Sequence, residues 1–165
     1  MKRKRRKIMF SISLTQEQAN QLLFELKVLA EKYDLKISAN SINKLELSTK
    51  NKDKLVMTCT YRTKMNMHIN IHEKSTGISL IRLNLDNKFH KNLNGEIIRD
   101  YRVNIFDLSE YCPKKGHFAY MKAYKLPYKK LNRPTNFVFA IMEVLNFTNT
   151  DFYEKLKVEM EENLI

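Results

Sequence analysis

The chain of 165 residues is strongly basic: 30 lysines and arginines stand against 18 aspartates and glutamates, giving a formal net charge of +12. Its 43% apolar content excludes wholesale disorder, and it has no apolar run long enough to cross a bilayer. The charge favours a polyanionic partner such as nucleic acid, because cationic side chains release counterions from phosphates. The alternative is a basic surface that is only solvated.

Residues 1–10 form a basic N-terminal arm that we expect to follow a phosphate backbone or to act as a solvated tail. The basic residues assigned to nucleic-acid binding there are Lys2, Arg3, Lys4, Arg5 and Arg6. The positive start lacks the apolar core of a secretory signal peptide, so a cytoplasmic protein is expected, with no membrane partner.

Several motifs are missing, which argues against nucleotide hydrolysis and zinc chemistry. The chain has no glycine-rich phosphate loop, no His-Glu-x-x-His helix and no Gly-x-Ser-x-Gly turn. Cys59 and Cys112 lack the spacing of metal ligands and are predicted to be ordinary thiols, with a disulfide between them as the alternative. We therefore expect neither a metal nor a cofactor.

The first predicted element is a helix from about Gln16 to Tyr33. Thr15 is placed to cap it, and Gln18 is placed to reach back to the cap residue. The residues that recur at helical spacing are Ala19, Leu22, Leu23, Leu26, Leu29, Ala30 and Tyr33.

Alternating runs then predict strands around Leu45–Leu47, 55–63 and 65–72. In the last run, apolar residues at odd positions alternate with Asn66, His68, Asn70 and His72. Because His68 and His72 lie about 13 Å apart on an extended strand, they cannot share one metal ion, and solvent-facing histidines are expected.

Two further strands are predicted as one hairpin within residues 77–106, joined by a polar connection that ends in Asn94-Gly95. A sixth strand follows around Phe118–Tyr124, with Ala119, Met121 and Ala123 towards the core. Thr135 is predicted to cap a helix over about 137–145, and a last helix is predicted to place Phe152, Leu156 and Met160 inward. The expected fold is α+β: a single domain over residues 11–165, with an antiparallel sheet of about five to six strands, one N-terminal helix and two C-terminal helices packed on it.

One group of polar residues near this hairpin could carry chemistry. His90 is a candidate general base, Arg102 a cationic stabiliser and Glu96 a residue that orients the histidine. Together they would make a metal-independent ribonuclease or toxin. The simpler interpretation is that His90 and Asn92 bind the loop backbone and Asn94-Gly95 makes the turn.

The same stretch resembles an uncharacterised domain family of bacteria and their prophages. Its pattern is His-x-Asn-x-Asp/Asn-Gly-Glu, then His-x-His-Ile-Tyr, an Ala-Tyr segment and a Phe-rich helix. The matching residues here are His90, Asn92, Asn94, Gly95, Glu96, Ile105, Phe106, Ala123, Tyr124 and residues 137–147. The two later histidines are replaced by Arg102 and Asn104. The resemblance spans roughly residues 80–150 and implies a phage or mobile-element context without naming a reaction.

A second group interleaves aromatic and basic residues late in the chain. Strand-borne rings can stack on bases while neighbouring cations hold phosphates. Its members are Lys114, Lys115, Tyr120, Lys122, Tyr124, Lys125, Tyr128, Lys129, Lys130 and Arg133. The alternative is that the tyrosines pack and the lysines are solvated.

Three functions follow from these patterns. The leading hypothesis is a non-enzymatic phage-type protein that binds RNA, DNA or a nucleoprotein complex, in its specific form an inhibitor of a bacterial immune effector such as a CRISPR nuclease. The second is the ribonuclease that uses His90. The third is a protein-binding module without nucleic-acid contact. The sequence leaves the oligomeric state open.

Overall fold

The computed structural model describes residues 13–112 and 120–164, so the basic arm and the Lys114-Lys115 pair lie outside the described residues. The described chain forms two α-helices, twelve β-strands and two short 3-10 helices. Their bounds are α1 Gln16–Phe24, β1 Lys27–Leu29, β2 Tyr33–Ile37, β3 Ser41–Thr49, β4 Lys54–Thr63, β5 Asn66–Glu73, β6 Ser79–Asp86, β7 Phe89–Lys91, β8 Ile97–Arg99, β9 Arg102–Phe106, the 3-10 helix Leu108–Glu110, β10 Met121–Lys125, α2 Phe137–Phe147, β11 Thr150–Asp151, β12 Leu156–Met160 and the 3-10 helix Glu162–Leu164.

Eight of the strands form one large sheet in the order β10-β9-β6-β5-β4-β3-β1-β11. Its neighbours are antiparallel except for β1 and β11, which run parallel. Two small ribbons accompany it, β2 with β12 and β7 with β8. The predicted sheet of five to six antiparallel strands with three helices is therefore wrong, because the described chain has a larger mixed sheet and two α-helices.

Strict alternation gives the large sheet one apolar and one polar face. Met67, Ile69 and Ile71 of β5 are buried in a core that also contains Leu23 of α1 and Ile141 of α2. Both helices thus lie on the apolar side. The intervening polar residues of β5 are only half-buried and lie on the opposite side.

The first helix begins as predicted and ends early. Thr15 Oγ1 accepts from the Gln18 backbone at 3.1 Å, and Gln18 Oε1 accepts from the Thr15 backbone at 2.9 Å, so the capping box is confirmed. The helix stops at Phe24, where the sequence predicted a continuation to Tyr33. Residues 27–29 instead alternate between buried and exposed and pair with β3 and β11, and this tertiary pairing overrides the helical spacing of the leucines.

Lys27 terminates this helix from within the core. Its Nζ donates to the backbone carbonyls of Leu22, Leu23 and Glu25 at 2.9, 2.8 and 2.7 Å, and the side chain is fully buried. Three carbonyls at a helix C-terminus suit a cation both by hydrogen bonding and by the helix dipole. Burial lowers the pKa of Lys27 to about 8, although the nearby Glu25 opposes this shift.

The last predicted helix is also wrong. Helix α2 is capped by Asn136, one residue after the predicted Thr135, and ends at Phe147. Beyond it the chain forms β11 and β12. Leu156 and Met160 fit either a helix or a strand, since their spacing is four. Val158 distinguishes the two, because it lies on the more buried side of β12 with Leu156 and Met160, while Lys157 and Glu159 are exposed. This alternation has a period of two, which is that of a strand.

The predicted hairpin proved to be two nested hairpins. Strands β6 and β9 pair with each other, and the chain between them folds as the separate hairpin β7–β8. The turn of this inner hairpin runs from Asn92 to Gly95, where Gly95 N donates to Asn92 O at 3.0 Å. Gly95 has φ +93°, a conformation that glycine adopts without strain. The Asn92 side chain holds the hairpin against the sheet edge: it accepts from Ala123 N at 2.9 Å and donates to Ala123 O at 3.0 Å.

The two cysteines are free thiols, as predicted, and the alternative of a disulfide between them is wrong. Cys59 is buried in the core, and burial raises the pKa of its thiol to about 12. A thiol with so high a pKa is an inert core residue at neutral pH. Neither of the two described α-helices has the length and apolar character to span a membrane.

Candidate functional site

Adjacent strands bring the polar residues of three separate segments together on the open face of the sheet. In the observed register, His68 of β5 lies opposite Asn84 of β6, which lies opposite Arg102 of β9. The next row joins Arg82 of β6 to Asn104 of β9. Cross-strand neighbours on one face are within contact distance, so these side chains form one cluster. We call this cluster, with Asp86 and His90, the polar cleft.

Asp86 and Arg102 form a buried ion pair in the polar cleft. Arg102 Nη1 donates to Asp86 Oδ1 at 2.7 Å, and the residues are only 6% and 2% exposed respectively. The same nitrogen also donates to the backbone carbonyls of Lys88 and Asp100 at 3.2 and 2.9 Å. Burial by itself would raise the pKa of Asp86, but the hydrogen bonds from Arg102 and from the Lys88 backbone outweigh it and hold that pKa below its ordinary value.

This ion pair corrects one expectation. Arg102 was assigned to stabilise a phosphate, whereas its guanidinium is buried and already bound to a carboxylate. The cations that line the cleft with greater exposure are Arg82 and Lys88.

A chain of hydrogen bonds crosses the cleft from one histidine to the other. Arg82 Nε donates to Asn84 Oδ1 at 2.9 Å, and the same oxygen lies 3.1 Å from His68 Nδ1. Asn84 Nδ2 donates to Asn104 Oδ1 at 3.3 Å, and Asn104 Nδ2 lies 3.3 Å from His90 Nδ1. Because an arginine can only donate, it fixes which end of each amide accepts along the whole chain.

His68 is more enclosed than the solvent-facing histidine that the alternation suggested. Its side chain is 15% exposed, Nε2 lies 2.7 Å from Asn66 Oδ1, and Nδ1 lies 3.8 Å from Asp86 Oδ2. Burial lowers the pKa of His68, and the charge of Arg82 lowers it further, against opposing effects of Asp86 and Asn84. His72 is also half-buried, with a pKa lowered by burial and by Lys44.

The structure brings His90 to the polar cleft and leaves Glu96 out of it. His90 and Arg102 both line a cavity of about 180 Å³, together with His68 and Asn104. Glu96 is exposed beside the hairpin turn and does not line this cavity. The predicted role of Glu96 in orienting His90 therefore has no support in the geometry. Asn104, which lies on the same face of β9 as Arg102, makes the contact with His90 instead.

A wider groove of about 460 Å³ continues the cleft along β4, β5 and β6. Besides the polar residues of β5 and Arg82, it is lined by Thr58, Thr60, Arg62 and Lys88. Three permanent cations thus line this groove, and no carboxylate is among its described lining residues. We call the groove and the polar cleft together the polar face.

The late aromatic and basic residues lie elsewhere. Tyr124 is opposite Val103, so it shares the apolar side of the sheet, near α1. Its ring stacks on Tyr128 with centroids 4.1 Å apart, and Lys129 Nζ lies 5.3 Å from the Tyr128 centroid. Tyr120 packs on Phe106 at 5.4 Å. These rings pack against one another. This agrees better with the alternative that the tyrosines pack within the protein than with a surface whose rings are free to stack on bases.

The basic members of that group are spread around the same edge of the sheet. Lys122 Nζ lies 5.8 Å from the Tyr124 ring, and Arg133 lies 4.7 Å from the Tyr101 ring. Lys125 and Lys130 are exposed. Lys114, Lys115 and the five arm residues from Lys2 to Arg6 fall outside the described chain. A role of this group in binding nucleic acid stays a prediction.

Sequence reasoning missed His68, Arg82, Asn84 and Asp86 as members of one site. The signal was present in the alternation of polar residues along β5, β6 and β9. What was lacking was the sheet order, which places these three strands side by side. Within residues 13–112 and 120–164, no group of three or more His, Cys, Asp or Glu side chains is arranged to hold a metal ion.

Comparison with known proteins identifies a family without an assigned function. The model of a family of unknown function, DUF6978, matches residues 14–150. Comparison with the curated proteins and with the solved structures found no match. The matched span includes both α-helices, the strands β1 to β10 and every residue of the polar cleft. The chain therefore belongs to the family of unknown function DUF6978, in agreement with the resemblance seen in the sequence.

Proposed function

We propose that the protein binds nucleic acid or a nucleoprotein complex and that the polar face contacts the phosphate backbone. The observation that carries this proposal is the charge of the groove: Arg62, Arg82 and Lys88 line it without a carboxylate among the described lining residues. The one carboxylate of the adjoining cleft, Asp86, is neutralised by Arg102. Such a surface attracts polyanions through counterion release.

The uncharged residues of the groove fit the same ligand. Thr58, Thr60, Asn66 and Asn70 offer hydroxyl and amide groups, and most protein contacts to nucleic acid are hydrogen bonds to phosphate and sugar from such side chains. The groove volume of about 460 Å³ is in the range of ligand sites, but its lining is polar where small-molecule sites are mostly apolar. An extended polar ligand therefore suits it better than a compact apolar one.

The narrower hypothesis concerns the biological target. A phage-type inhibitor of a bacterial immune effector, such as a CRISPR nuclease, would use this face to grip the guide RNA or to compete for the nucleic-acid channel. That target rests on the phage-type resemblance in the sequence and on the charge alone, and it stays a prediction. A purely protein-binding module would differ in one measurable respect, since its affinity for the partner would be insensitive to salt.

The binding proposal is tested by the salt dependence of affinity for labelled single-stranded RNA and DNA. The double variant Arg62→Ala/Lys88→Ala should weaken binding to all sequences alike. It should also lower the slope of log affinity against log salt by about 1.4, because each phosphate contact on a single strand contributes about 0.7. Lys32→Ala/Lys50→Ala removes the same charge from exposed positions outside the groove and is the matched control. Equal effects of the two double variants would contradict the proposal.

A second candidate function, metal-independent RNA cleavage, is favoured by one observation. The contact between Asn104 and His90 brings this histidine to a cleft lined by Arg82 and Lys88. There Nδ1 of His90 could accept the proton of a ribose 2′-hydroxyl as this oxygen attacks the adjacent phosphorus. The cyclic phosphate forms as the bond to the 5′-oxygen breaks, and the released oxygen takes a proton from water. Labelled RNA incubated in EDTA should then be cleaved by the native protein and not by His90→Gln. Intact RNA would remove this candidate and leave the binding proposal standing.

A further inference from the structure

The outer face of the β7–β8 hairpin points to single strands as the ligand class. We propose that Phe89 stacks on an unpaired base of the nucleic acid whose phosphates lie on the polar face. This inference rests on the proposed function and narrows it, because a base inside a duplex is stacked on its neighbours and has no free face to offer.

Alternation gives the hairpin two different faces. His90 points to the cleft and its cross-strand partner Ile98 is buried, so these two residues form the inner face. Phe89 and Lys91, with their partners Arg99 and Ile97, are exposed and form the outer face. The outer positions of β7 and β8 thus combine an aromatic ring and an aliphatic side chain with two cations, and no carboxylate occupies them.

Phe89 has the arrangement of a stacking residue. It is 56% exposed, and the Arg99 guanidinium carbon lies over one face of its ring, 5.3 Å from the centroid. An exposed ring that a cation covers on one face can receive a base on the other face, while the cation holds a neighbouring phosphate. The tyrosines of the β10 region are less suited, because Tyr124 and Tyr128 stack on each other.

The hairpin is continuous with the phosphate surface. Lys88 lines both the groove and the cleft, and it directly precedes Phe89 in the chain. A single-stranded nucleic acid whose phosphates lie along β5 and β6 can therefore reach Phe89 while its backbone stays on a positively charged surface. This continuity, with the cationic outer face, favours nucleic acid as the occupant over an anionic membrane or an apolar protein surface.

The test compares three fluorescent ligands of equal length by anisotropy: a single strand, the same strand made abasic, and the matching duplex. Phe89→Ala should weaken binding of the single strand about tenfold, since base–aromatic stacking contributes about 1–3 kcal/mol and 1.4 kcal/mol is a factor of ten. It should leave the abasic strand and the duplex unchanged. Phe89→Trp should keep native affinity. Phe139→Ala, which removes a phenylalanine of similar exposure from helix α2 on the other side of the sheet, is the matched control and should change none of the three affinities.

Two results would overturn the inference while leaving the proposed function intact: salt-dependent binding of all three ligands with equal affinity, or an equal loss for all three in Phe89→Ala. Phe89-dependent sedimentation with phosphatidylserine vesicles, without discrimination among the three nucleic acids, would overturn it in favour of a membrane. If the native protein bound no nucleic acid at any salt concentration, the proposed function itself would fall. Circular dichroism of each variant confirms that the fold is retained.

Discussion

Asn104 Nδ2 lies 3.3 Å from His90 Nδ1, and this contact joins the β7–β8 hairpin to the large sheet. The donor and the acceptor of this hydrogen bond are determined by Arg82, at the other end of the chain of hydrogen bonds. Arg82 can only donate, so Asn84 Oδ1 must accept from it, Asn84 Nδ2 must donate to Asn104 Oδ1, and Asn104 Nδ2 is left to donate to His90. The imidazole of His90 therefore accepts at Nδ1 and carries its proton on Nε2.

The tautomer of His90 is the first prediction. Long-range proton–nitrogen NMR correlations at neutral pH should show an unprotonated Nδ1 and a protonated Nε2. Asn104→Asp should reverse this, because a carboxylate oxygen in place of Nδ2 would accept from a protonated Nδ1. A protonated Nδ1 in the native protein would contradict the hydrogen-bond chain.

The second prediction concerns the buried ion pair of Arg102 with Asp86. Arg102→Met should lower the free energy of unfolding by about 3–5 kcal/mol, because it leaves an unpaired carboxylate in the interior. Urea denaturation measures the loss. The double variant Arg102→Met/Asp86→Leu should recover part of it, since neither buried charge then remains.

Arg99→Ala is the matched control for this loss. It removes an exposed arginine at the end of β8, three residues before β9 begins, and surface substitutions change the free energy of unfolding by about 0.5 kcal/mol or less. An Arg102→Met effect as small as that of Arg99→Ala would show that the ion pair does not hold the cleft together.

Lys27 provides the third prediction. Lys27→Met should cost on the order of 3 kcal/mol, because the carbonyls of Leu22, Leu23 and Glu25 lose their donor. The folded pKa of about 8 lies below the ordinary 10.5, so the unfolded chain binds more protons between these values and native stability should rise from pH 8 to 10.5. Lys27→Met should lack this rise, while Lys50→Met should keep it. A rise of equal size in both variants would contradict the assignment.

A fourth prediction follows from the lowered pKa values of His68 and Asp86. The unfolded chain protonates His68 more readily than the folded one, so the contribution of this residue is present above its unfolded pKa of about 6.5 and is lost below it. The contribution of Asp86 is present above about 4 and is lost in more acidic solution. Stability measured by thermal unfolding should therefore fall in two stages on acidification.

His68→Gln and Asp86→Asn separate these two stages. The histidine variant should reduce the decline that begins near neutrality to the part contributed by His72, whose pKa is also lowered, and should keep the acidic decline. The aspartate variant should keep the near-neutral decline and reduce the acidic one to the part contributed by other carboxylates such as Glu73, on a lower overall stability. A profile that neither substitution alters would mean that other groups control the acid sensitivity.

The local signals in the sequence were sufficient for part of the fold. The Thr15–Gln18 capping box, the alternation of β5 and the Asn94-Gly95 turn are encoded within a few residues, and each was confirmed. The failures occurred where a spacing is ambiguous or a distant partner decides. Leu156 and Met160 fit two periods, and the end of α1 depends on strand pairing by β1.

The candidate site was predictable only in fragments. His90 and Arg102 were found from one hairpin, but the contact of Asn104 with His90 and the pairing of Asp86 with Arg102 depend on the register between strands up to 16 residues apart in sequence. Register over such distances is set by the packing of the whole sheet. For the same reason the tyrosines near β10 could be placed on a strand but not assigned to the correct side of the sheet.

The most direct test of the account is to map the bound nucleic acid by amide chemical shifts. Titration of isotope-labelled protein with a short single-stranded RNA should perturb β4, β5 and β6 along the groove and the β7–β8 hairpin, with the largest changes near Arg62, Lys88 and Phe89. Perturbations confined to α1, α2 and the Tyr124–Tyr128 pair would place the ligand on the opposite side of the sheet and contradict the assignment of the polar face.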